Sequence, residues 1–131
     1  MIAALLALVL AVPQGAAATL PDTPQGKRIA AYLQAFNSGD EKTYLTMQEA
    51  EMQPDVLKRR SVEERAQMFK RLRGDFGTMK VTKVLKASAT EIQLAIPNKE
   101  GIEATFTFSF SVDKPFLISG IGVEIDRGPG N

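Results

Sequence analysis

Apolar residues recur at helical spacing in the first half of this chain and at alternate positions in the second. Thr23-Pro24 has the form of a helix start, with Thr23 as N-cap and a proline at the first helical position. Ile29, Leu33 and Phe36 follow at i, i+4 and i+7, which predicts one buried face. Asn37-Ser38-Gly39 ends this helix. Asp40 caps a second, running to about Met52 with Tyr44, Leu45 and Met47 or Gln48 inward, and Pro54 stops it. Ser61-Val62-Glu63-Glu64 is a capping box and opens a third helix, whose stripe is Val62, Ala66, Phe69, Leu72 and Phe76.

From Thr78 the period becomes two. Met79, Val81 and then Val84-Leu85 predict a first strand, with a bulge at Thr82-Lys83. Ile92, Leu94 and Ile96 predict a second, and Lys99-Glu100-Gly101 a hairpin turn. The third strand alternates most clearly. Ile102, Ala104, Phe106, Phe108, Phe110 and Val112 face one way, and Glu103, Thr105, Thr107, Ser109 and Ser111 the other. A fourth runs from Phe116 to about Ile125. Helices first and strands last, with a sheet apolar on one face, predict an α+β fold. In it, three N-terminal helices pack on a curved, four-stranded antiparallel sheet that wraps them as a cone.

The two ends read differently. Met1 to Val12 is an uncharged apolar run, broken by Pro13-Gln14-Gly15 and followed by Ala16-Ala17-Ala18. That is the pattern of a secretory signal peptide cleaved after Ala18, although no Lys or Arg precedes the run. The run is shorter than the ~20 residues a membrane-spanning helix needs. The expected organisation is a signal peptide at 1–18, one domain at 19–126 and a tail without packing residues at 127–131. The expected location is the periplasm or the exterior, with no transmembrane segment after cleavage.

Composition narrows the chemistry. The 131 residues contain no Cys and no His. Disulfides, thiolate nucleophiles, Cys/His metal sites and imidazole bases are thereby excluded. The sequence predicts no metal, no cofactor and no catalytic residue. Formal net charge is +1, but residues 56–90 carry ten basic and three acidic groups. On the third helix the basic residues lie mostly opposite the apolar stripe, as a solvated face does. No aromatics interleave with them, which argues against nucleic acid.

The segments TPQGKRIAAYLQAFNSGDEKTY, RRSVEERAQMFKRLRGDFGTMKVTKVL and ISGIGVEI resemble an exported bacterial branch of the nuclear transport factor 2-like superfamily. AFNSGD, Ala35 to Asp40, carries the resemblance best. It implies the conical fold. It also implies a domain often found ahead of a serine hydrolase domain, beta-lactamase-like or tail-specific-peptidase-like, so a free-standing form and a piece of a longer gene both fit. Enzymes of the superfamily, such as ketosteroid isomerases and SnoaL-like cyclases, hold a carboxylate inside the cone as general base. Here the inward strand positions are Phe, Ile and Leu, and Glu103, Glu124 and Asp126 fall at strand ends or on polar faces.

Two function classes follow. The first is an exported, non-catalytic accessory or binding domain that holds a small apolar or amphipathic ligand, or a partner domain. The alternative is a small cone-fold enzyme of the isomerase or cyclase type. For a ligand, the expected walls are Tyr32, Phe36, Phe69, Phe106 and Phe108. Arg65, which shares the face of Phe69 and Leu72, is the expected polar contact. Such a site suits an apolar body inside and an anionic group at the arginine.

Overall fold

The computed structural model describes residues 18–125. The expected signal peptide, Ala18 apart, and the expected tail lie outside that range. The α+β architecture is as the pattern predicts, with helices on one face of a curved antiparallel sheet. The helices are α1 (Pro24–Asn37), α2 (Glu41–Glu51), α3 (Pro54–Leu57) and α4 (Val62–Phe76). The strands β1 (Lys83–Ala87), β2 (Glu91–Pro97), β3 (Glu103–Phe110) and β4 (Ile118–Ile125) pair in sequence order.

Side chains fix the helix starts. Thr23 Oγ1 accepts from Gly26 N at 3.1 Å. Asp40 accepts from the Thr43 amide at 3.0 Å and from its hydroxyl at 2.6 Å. Ser61 and Glu64 close both halves of the capping box. Each satisfies backbone N–H groups that a helix leaves without partners.

The core forms where the two periodicities meet. Ile29, Tyr32 and Phe36 of α1, and Phe69 and Phe76 of α4, are buried against Phe106, Phe108 and Phe110 of β3. Tyr32 and Phe108 meet edge to face at 5.3 Å between ring centres, as do Phe76 and Phe106. The opposite face of β3 stays polar and half-exposed through Thr105, Thr107 and Ser109.

Several element ends depart from the pattern. Met79 and Val81 are buried but precede the first strand, which begins at Lys83. Asn37 explains part of this. Its side chain accepts from Met79 N at 2.7 Å and donates to Met79 O at 3.0 Å, replacing a strand partner. The bulge falls between Val84 and Lys86, not at Thr82-Lys83, and leaves Leu85 exposed. Pro54 does more than stop α2: it is the first residue of the one-turn α3. Ile102 and Val112 lie beyond the ends of β3 and are exposed. The fourth strand starts at Ile118, two residues later than the pattern suggests, after Phe116 takes a positive φ of 61°.

The link between α2 and α3 runs beside the start of β4. Gln53 N donates to Ile118 O at 2.9 Å, and Met52 bridges Ile118 in parallel. Ala18 N donates to Val81 O at 2.9 Å on the opposite side of the sheet.

Candidate functional site

Beyond that link β4 is only partly covered. Ile121 and Val123 project to the same side as Phe108 and Phe106, with which they pair. Val123 is 42% exposed. A cleft of about 350 Å³ opens there, bounded by β4, α4 and the α2–α3 segment. Met52, Val56, Leu57, Met68 and Leu72 supply its apolar walls.

Its polar groups are unevenly placed. At the buried end are Tyr32, Tyr44 and Gln48, with Arg65 beside them. Helical spacing brings them together: Tyr44 and Gln48 are four apart on α2, and Arg65 precedes Phe69 by four on α4. Tyr44 donates to the Tyr32 hydroxyl at 3.4 Å. Arg65 Nη1 donates to Gln48 Oε1 at 3.1 Å. Arg65 Nε is buried and has no acceptor among the described residues. The ion pairs among the described residues are Arg28–Glu51, Lys70–Glu41 and Lys86–Glu91, so Arg65 meets an amide and not a carboxylate. At the outer end Arg60 and Arg71 are exposed.

Burial raises the pKa of Tyr32 well above the usual phenol value, and the neighbouring Tyr44 adds to the shift. Burial also raises Tyr44, while Tyr32, Gln48 and the positive charge of Arg65 pull it partly back. Both phenols are therefore neutral donors at physiological pH. No Asp or Glu is among the described lining residues. The cluster can donate hydrogen bonds to an oxygen or an anion; it holds no carboxylate to take up a proton.

Of the expected site residues, Tyr32 and Arg65 line the cleft. Phe36, Phe69, Phe106 and Phe108 do not. All four are buried in the packed core behind it. The cone is filled at its phenylalanine-rich end and open toward β4. Tyr44 and Gln48 were legible only as inward positions of α2. The contributions of Met52, Val56, Leu57, Ile121 and Val123 depend on how α3 and β4 meet, which no local pattern states. Glu124 is exposed, as its position on the outer strand face implies.

No protein-family model matches the chain. No curated protein matches it either. It is similar to the solution NMR structure of a de novo designed beta-sheet protein. The identity is 18% and the TM-score 0.48, over 82% of this chain and 90% of that one. A likeness at that level carries no argument about family or function. Among the described residues no helix is long and apolar enough to cross a membrane, and no group of three potential metal ligands occurs.

Proposed function

We propose that this chain is an exported, non-catalytic domain of the nuclear transport factor 2-like type that holds a small amphipathic anionic ligand in its cleft. One observation carries the reading: an apolar cleft lined by Arg60, Arg65 and Arg71 and, among the described residues, by no carboxylate. Three cations of one sign around apolar walls attract anions and desolvate their apolar parts. The isomerase or cyclase alternative needs a base within reach of a bound substrate, and the described lining residues offer no carboxylate for that role.

A thermal-shift screen of the protein against fatty acids, sterols and small anionic lipids tests this. Anionic amphiphiles should raise Tm in a concentration-dependent way, since a ligand that binds only the folded state stabilises it by mass action. A screen with no shift for any compound would remove the cleft as a ligand site and leave docking of a partner domain on the surface. Export is tested separately by mass spectrometry of protein from its native host. The expected amino terminus is Thr19, and recovery of intact Met1 from the cytosol would exclude cleavage.

A further inference from the structure

The two ends of the cleft differ in a way that assigns an orientation. Arg65 Nη1 is already engaged by Gln48, while Nε has no acceptor and is buried. In a guanidinium group Nε–H and Nη2–H point to the same side. Together they make the fork that receives a carboxylate through two parallel hydrogen bonds. A buried donor without a partner is rare in folded proteins and calls for an explanation. A ligand oxygen supplies one when the Arg65 side chain turns that edge into the cleft, a rotamer change of the kind that commonly accompanies binding.

The surroundings restrict what carries that oxygen. Tyr32, Tyr44 and Gln48 crowd the same end and are all buried. The cleft volume of about 350 Å³ lies near the lower limit of the ~300–1,000 Å³ usual for ligand sites. These dimensions suit a flat, compact acid group and one chain better than a branched phosphate diester with two. The walls leading outward are Leu72 and Ile121, and the exposed Val123 marks the exit. The reverse arrangement, acid at Arg60 and Arg71 with the hydrocarbon innermost, would press apolar chain against the unpartnered Nε. That contact is unfavourable.

Resting on the cleft as the ligand site, we propose that the ligand is a single-chain carboxylic acid bound head first. Its carboxylate lies on the Nε side of Arg65, and its chain runs out along Leu72 and Ile121. Arg60 and Arg71 steer the anion in and do not hold it.

Isothermal titration of the full chain with dodecanoate, dodecan-1-ol and 12-hydroxydodecanoate tests this directly. Dodecanoate should bind at least tenfold more tightly than dodecan-1-ol. The ω-hydroxyl should be tolerated within about threefold, because that end reaches solvent. Arg65→Met should weaken dodecanoate tenfold to a hundredfold, the scale of hydrogen bonds to a charged group, and leave dodecan-1-ol unchanged. Arg60→Met with Arg71→Met should slow association more than it speeds release. Loss of binding with the ω-hydroxyl, or a larger loss from the rim pair than from Arg65→Met, would overturn the orientation. Equal binding of acid and alcohol, unaffected by Arg65→Met, would overturn the carboxylate assignment while leaving the cleft as a ligand site. Failure of all three ligands together with an empty lipid screen would remove both. The comparison of the three ligands needs no variant, so it decides even if Arg65→Met fails to fold.

Discussion

Arg65 is a residue whose placement runs against stability. It brings a cation and an unpartnered Nε toward a buried position next to two neutral phenols. Leaving a buried donor unpaired costs about 1–3 kcal/mol; a Met would remove that donor but leave the buried Gln48 Oε1 without its own. Arg65→Met is therefore expected to change stability little in urea titration, the two costs offsetting. A loss above about 2 kcal/mol, well beyond an ordinary surface change, would show that the arginine supports the fold. Phe108 is the opposite case. It is fully buried and packs on Tyr32, and truncating such a side chain typically costs ~3–5 kcal/mol. Because domains usually hold only ~5–15 kcal/mol, Phe108→Ala should bring the protein close to unfolding, as circular dichroism would report. Asp40 predicts a pH dependence. The Thr43 hydroxyl, and then the Thr43 amide, hold its carboxyl below the ordinary aspartate value of 3.8. On acidification the unfolded chain takes up the proton first. The stabilisation is complete above the unfolded value and fades as pH falls through the lower folded one. The penalty of Asp40→Ala, measured by urea titration from pH 7 to pH 3, should shrink toward acid; a constant penalty would contradict the cap. At this scale the sequence was informative where helical spacing decides a face, as for Tyr32 and Arg65. It was silent on whether an inward phenylalanine ends in solid core or at a cleft wall.

Elements were legible from their starts more than from their ends. Thr23, Asp40 and Ser61 cap as their sequence contexts imply, because a cap is a contact within three residues. The first strand was read too early because Met79 and Val81 alternate correctly. The Asn37 side chain that occupies the Met79 backbone comes from another element. Two helical glycines make an opposed pair of predictions. Gly74 in α4 has nothing within 4 Å of where a Cβ would sit. Gly74→Ala should stabilise the helix by roughly 0.5–1 kcal/mol. At Gly26 in α1 the same Cβ would stand 1.9 Å from the Pro21 carbonyl oxygen. Gly26→Ala must displace the chain before the helix and should lower stability. Urea titration of both variants checks the signs. A stabilising Gly26→Ala would mean that the Pro21 segment moves at no cost.

Across the whole molecule, the pattern sufficed for the layers and the sheet order but not for the cleft. The cleft exists because α3 and the Gln53–Ile118 contact cover only the start of β4. The same long connections carry a consequence in time. Arg28 Nη2 donates to Pro115 O across 87 residues of chain, and Gln25 Nε2 to Ala89 O across 64. The apolar face of α1 is made first, and Tyr44 and Phe69 cover only part of it before β3 supplies Phe106, Phe108 and Phe110. A chain emerging from its N-terminus therefore stays without a core through most of its synthesis, since helices this short are marginal alone and distant contacts close late. Stopping synthesis after Ser88 should yield a product that is sensitive to protease and lacks near-ultraviolet ellipticity, whereas a chain completed to Ile125 should resist digestion. The order of elements thus sets a schedule: folding is postponed until the last strands arrive, and until then the chain remains threadable.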